Sequence, residues 1–292
     1  MRLKNTQLLL VVSTMALAAV IGGCMSKAKQ HLYHAEDLFE KRDLKGAQAE
    51  LQQAVALDPS LLDAHKSLAH VDEYLGDTEG AAREYDAASQ LDPSDQKIMN
   101  KARYYRQMKE LANSADKALE EVKSGQIEEG IKTLKDILTQ TKEKTAHQRA
   151  VEALQKAGPM IQQQADDLAK QGKYPDAIND YAFGIRAYLL IAQATQQPQV
   201  DPAADQLMKS INAAAKSGGT PDRPFQILNE VLTVDPDNKT AKIELAEVYM
   251  SRTPPDETNY SNAADMLEGA GAPDAEVAKL RAKAKALAKH HS

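Results

Sequence analysis

Apolar residues along this chain fall three and four positions apart, the spacing that gathers them on one stripe of a helix. Ala35 and Leu38 form one such stripe, and Ala47, Leu51 and Ala54 form a second. The pattern predicts a helix over about residues 29–41, a turn over 42–46 and a second helix over 47–57. Asp58-Pro59 then ends it, because proline has no N–H to donate and pushes the residue before it out of the helical region. Ala35 and Ala47 are small where paired helices must approach closely, and the larger residues supply faces that one hairpin cannot bury alone. A neighbouring hairpin stacked against it can.

The pattern recurs. Leu57-Asp58-Pro59-Ser60 returns as Leu91-Asp92-Pro93-Ser94, an offset of 34 residues, and the same offset carries Ala35 to Ala69, Ala47 to Ala81, Leu51 to Tyr85 and Ala54 to Ala88. A period of this length predicts two helices per unit, with units at 28–61 and 62–95. Farther along, Gly125-Gln126-Ile127-Glu128-Glu129-Gly130, with Leu134 and Ile137 behind it, mirrors the stretch beginning at Gly76 and predicts a degenerate unit over 111–144. Gly172-Lys173-Tyr174-Pro175-Asp176-Ala177-Ile178 and Tyr181, with Ala165 and Leu168 upstream, predict another over 158–191. A connector over 192–204 precedes a hairpin over 203–234, whose internal turn is lengthened by 217–224. A final helix pair over 239–251 and 262–269 is split by a loop over 253–260, and a charged, alanine-rich helix over 275–289 caps the end. Pro93 and Pro236 are not separated by a multiple of 34, so inserts should make the second half irregular. The expected fold is all-α, a solenoid of stacked helical hairpins, organised as 24–110, 111–191, the connector and 205–292.

Composition supports helix over sheet. Trp is absent, aromatics make up 4% of the chain, and Ala, Leu, Gln, Lys and Glu dominate. A chain this long exceeds one compact core but suits an array whose units touch only their neighbours. The net charge of −6 argues against nucleic acid as a partner.

Residues 1–23 read as an export signal: Arg2 and Lys4 open it, an apolar run follows, and Ile21-Gly22-Gly23-Cys24 closes it. The run is shorter than the roughly 20 residues of a spanning helix. The tetrapeptide reads as a lipobox, cut between Gly23 and Cys24, with Cys24 becoming a lipidated N-terminus. Cys24 is the only cysteine, and with it taken by lipid no disulfide can form, so apolar burial must supply the stability. Loss of Arg2 and Lys4 takes the mature charge from −6 to −8, which leaves membrane attachment to the acyl chains. By resemblance to bacterial lipoproteins, Met25 in place of Asp implies sorting to the outer membrane, with the domain in the periplasm.

The repeat resembles the tetratricopeptide repeat over 28–95: small residues at Ala35, Ala47 and Ala54 with Pro59, then Ala64, Leu68, Ala69, Gly76, Asp77, Ala81, Tyr85, Ala88 and Pro93. His31 and His65 replace the large aromatic of that family, which predicts a looser plug between helices. The resemblance implies a concave face built from the first helix of each unit, where peptide segments or partner helices dock. Carried onto this chain, its exposed positions are Leu32, Glu36, Phe39 and Glu40, then Lys66, His70, Glu73 and Tyr74, then Gln162, Asp166 and Lys170. The first two groups, acidic with two aromatics, suit a basic or amphipathic partner segment, although a solvated helix face accounts for the same charges.

Candidate chemistry is sparse. His31 and His34 stand one turn apart and His65 and His70 lie in the next unit, but no cysteine or paired acidic motif accompanies them as metal ligands. Asp235-Pro236-Asp237-Asn238 lacks the glycine and distal glutamate of an EF-hand and reads as a helix stop and cap. Gly218-Gly219 lacks the lysine of a phosphate loop. No catalytic constellation, cofactor or small-molecule substrate is expected. The sequence points to a non-enzymatic, membrane-anchored scaffold that gathers envelope proteins, with a structural envelope lipoprotein acting by self-association or peptidoglycan attachment as the alternative, and a metal or cofactor carrier third.

Overall fold

The computed structural model describes residues 25–141, 144–218, 222–252 and 256–291. The signal, Gly23 and Cys24 lie outside them. Thirteen helices and no strand occur among the described residues. They divide into two compact units, residues 1–109 and 110–292, and each stacks consecutive hairpins.

In the first unit α1 (Lys27–Glu40) pairs with α2 (Leu44–Leu57), and α3 (Leu62–Leu75) pairs with α4 (Thr78–Leu91). The 34-residue period is visible in individual hydrogen bonds. Asp43 and Asp77 cap α2 and α4, accepting from the backbone N–H of Gly46 at 2.9 Å and Gly80 at 2.8 Å. Asp58 and Asp92 accept from the hydroxyls of Ser60 at 2.6 Å and Ser94 at 2.7 Å, closing the turns around Pro59 and Pro93. Ala35, Ala47, Leu51, Ala54, Ala64 and Leu68 form one buried cluster. Ala69, Ala81, Tyr85 and Ala88 form the next, with Ile98 and Ala102.

Four of the turns between helices close the same way. Arg42, Gly76, Gly125 and Gly172 all have φ between 62° and 89°, and the next residue's N–H reaches back five positions to a helical carbonyl, as Asp43 to Leu38 and Asp77 to Asp72, both 2.9 Å. The turn of the first unit is therefore shorter than the expected 42–46, because the Asp43 cap draws Lys45 and Gly46 into α2.

The second unit departs further from the expected boundaries. α5 (Gln96–Lys123) is one continuous helix, so the predicted unit at 111–144 has no separate first helix. Its second helix is α6 (Ile127–Gln140). α7 (Lys144–Lys170) runs through Gly158-Pro159, where the sequence placed a unit's start, and pairs with α8 (Tyr174–Ala194). The inserts that break the period are thus extra helical turns as well as loops. Ile131, Leu134, Ala150, Leu154, Ile161, Ala187 and Leu190 fill the core between these helices.

After the connector, α9 (Ala204–Gly218) and α10 (Asp222–Val234) form the next hairpin. Its turn is shorter than 217–224, since proline is tolerated in a first helical turn and Pro224 is buried there. Asp235 and Asn238 are the predicted stop and cap: Asn238 accepts from the N–H of Ala241 at 2.8 Å. α11 (Lys239–Ser251) is followed by α12 (Glu257–Ala270), which starts five residues earlier than expected because Asp256 caps it through the N–H of Asn259 at 2.7 Å. α13 (Asp274–His291) closes the unit, and Arg281 pairs with Asp265 and Glu268 of α12 at 3.2 and 2.7 Å.

Candidate functional site

α1 and α3 lie one repeat apart and bring Phe39, His70 and Tyr74 together. The ring of Phe39 is 5.8 Å from that of His70 and 5.5 Å from that of Tyr74, and His70 and Tyr74 meet edge to face at 4.9 Å. These are attractive separations for aromatic pairs. Glu36, Glu40, Phe39, Ser67 and His70 line a cleft of about 240 Å³ with Ala35, Leu51 and Val71 at its base. Tyr74 is 61% exposed, so the cluster offers an aromatic surface to solvent beside two carboxylates.

Other expected members of this face are engaged elsewhere. Leu32 is 5% exposed and packs with Ala35, Leu51 and Ala54: the stripe that buries Ala28 and Ala35 includes it. Glu73 is drawn inward. Burial works to raise its carboxyl, but hydrogen bonds from Lys101, Tyr105 and Tyr85 outweigh that and hold it below the usual range. The Tyr85 and Tyr105 rings stack at 5.5 Å, and burial first, then Glu73, pushes both phenols up. Lys66 pairs with Asp95 at 3.4 Å. In the second unit Gln162 is half-buried, Asp166 accepts from the Tyr181 hydroxyl at 2.6 Å, and Lys170 pairs with Asp167 at 3.0 Å. Glu36, Phe39, Glu40, His70 and Tyr74 are the members that assemble into one surface.

The histidines replacing the family aromatic form a polar clamp rather than a loose plug. His31 Nδ1 lies 2.5 Å from Glu50 and His65 Nδ1 lies 2.7 Å from Glu84, so both partners recur at the 34-residue offset. His65 Nε2 also faces the Pro59 carbonyl at 3.1 Å. His34 reaches the same Glu50 at 3.2 Å, and the hydrogen bond from His31 holds the Glu50 carboxyl low. Glu50 and Glu84 were not singled out in the sequence, although their shared offset from the two histidines was available there. Among the described residues no group of three or more His, Cys, Asp or Glu is placed to hold a metal ion. No helix of the described residues is long and apolar enough to cross a membrane.

Fold and surface together define a helical-repeat protein with stacked tetratricopeptide-like hairpins and an exposed aromatic groove. No family model matches the chain, and no curated protein aligns with it. Among solved structures it is similar to the TPR2AB domain of yeast Sti1 in a complex with pHSP90, at 17% identity and a TM-score of 0.32, covering 88% of this chain and 98% of that one. It is also similar to PilF of Pseudomonas aeruginosa, at 13% identity and a TM-score of 0.27, covering 90% and 85%. A third is YrrB, a TPR protein with an unusual peptide-binding site, at 16% identity and a TM-score of 0.25, covering 78% and 94%. With scores of this size, the architecture rests on the helices and hydrogen bonds described above.

Proposed function

We propose that this protein is a non-enzymatic adaptor, tethered through lipid on Cys24 to the periplasmic face of the outer membrane, whose first unit holds segments of envelope proteins and so helps assemble or stabilise an envelope complex. The observation that carries the docking role is the Phe39–His70–Tyr74 cluster beside Glu36 and Glu40. Exposed aromatic rings bury much apolar area at low entropic cost, and flanking carboxylates select a basic or amphipathic segment. Ile21-Gly22-Gly23-Cys24 supports the anchor.

A photo-crosslinking residue at position 74 should trap partner protein in cells, whereas one at Gln52, exposed on α2, should not. Phe39→Ala with Tyr74→Ala should abolish trapping from position 36 while the helical circular-dichroism signal persists; undiminished trapping would reject the groove. Labelled palmitate should enter the wild-type chain and not Cys24→Ser, which should leave the membrane fraction. A wild-type chain without acyl label would reject the anchor but not the groove.

A further inference from the structure

The second unit carries a cleft of about 680 Å³ where the end of α6, the start of α7 and the end of α8 diverge. That volume lies within the range of ligand-binding clefts. Its floor is apolar: Leu190 is buried, and Leu138 and Val151 are half-buried beside it. Its charged lining is cationic, Lys135 and Lys144, with His147 beside them and no carboxylate among the described lining residues. Some lysines of the chain are taken up by acids, as Lys66 is by Asp95, Lys216 by Glu247 and Lys242 by Asp237. Lys135 and Lys144 are exposed and enter no ion pair among the described residues.

From this we infer that the cleft docks an acidic segment of a partner protein, one presenting an aliphatic side chain to Leu138, Val151 and Leu190 and flanking carboxylates to Lys135 and Lys144. In a chain of net charge −6 the overall field opposes an acidic segment, and a cation-lined apolar cleft offsets that locally while offering it apolar burial. The polarity is opposite to that of the Glu36 and Glu40 groove, and the inference does not rest on that groove. The ends of α6 and α8 also open onto the cleft, and the same ammonium groups offset their partial negative charge. A purely structural role of that kind affects stability but gives no peptide binding.

The test is fluorescence anisotropy on the full chain with a labelled peptide of repeating Leu-Glu-Glu, its Leu-Lys-Lys counterpart, and vesicles containing phosphatidylglycerol. The acidic peptide should bind, with an affinity that falls as salt rises, and K135E/K144E should weaken it about tenfold or more at unchanged helix content. F39A/Y74A should leave it unchanged, which separates this cleft from the groove of the first unit. Equal affinity in wild type and K135E/K144E, or preference for the basic peptide, overturns the proposal. Vesicle binding that K135E/K144E removes, without peptide binding, overturns it in favour of an anionic lipid surface.

Discussion

At the scale of single residues, the repeated His–Glu clamp is one arrangement in two environments. The side chains of His65 and Glu84 are 10% and 14% exposed, those of His31 and Glu50 35% and 26%. An exposed pair contributes little, while truncating one member of a buried pair strands the other. Glu84→Ala should therefore destabilise the first unit by about 1–3 kcal/mol, clearly more than Glu50→Ala, as measured by urea unfolding of each variant. Asp72 gives a pH signature. Burial pushes its carboxyl up to about 6, against the hydrogen bond from Gln48 and with help from Asp77. Because the folded value lies above the unfolded one, the native state holds this proton more tightly, and stability is lost as pH rises from about 4 to about 6. Asp72→Asn should be more stable than wild type at pH 7, with the gap closing towards pH 4; a gap that widens on acidification would reverse this account.

Among elements, α7 is the most instructive. Gly158-Pro159 reads as a break by every local rule, since proline forfeits a backbone hydrogen bond and glycine weakens a helix. The helix continues because Gly158 lies against α8: a Cβ there would sit 2.9 Å from the ring of Tyr188, a buried residue. Close approach of α7 and α8 outweighs the local penalty. Gly158→Ala, which raises intrinsic helix propensity, should thus lower stability by about 1–3 kcal/mol through overpacking, and thermal unfolding checks the sign. α5 shows the converse: with no Gly or Pro between Gln96 and Lys123, nothing local divides it at residue 110, even though the chain's compact units part there.

For the whole molecule, the consequence of stacked hairpins is that stability is built from neighbours. The two units have separate buried clusters. Leu154 is fully buried in the second, so Leu154→Ala should cost about 2–5 kcal/mol there. Amide exchange should quicken across α6, α7 and α8 and remain unchanged from α1 to α4. Loss of protection throughout the chain would mean that the units unfold as one.

Much of this was legible in the sequence where the cause is local. The offset of 34, the Asp58-Pro59 and Asp92-Pro93 stops, the small residues at Ala35 and Ala47 and the cap at Asn238 act within a few residues of backbone. The Asn238 hydrogen bond appears where the pattern places it, while the Asp43 and Asp77 caps start their helices earlier than the apolar spacing implies. Phe39, His70 and Tyr74 share a face because the offset carries position 39 onto Glu73, one residue before Tyr74 and three after His70. Three things were decided only by packing in space. Leu32 and Glu73 turned inward to meet residues of other helices, Gly158-Pro159 was held helical by Tyr188, and the basic cleft arose where the ends of α6 and α8 part from the start of α7. Periodicity assigns a residue to a face of its own helix; what that face touches depends on contacts between segments far apart in the chain, and only the folded molecule brings those together.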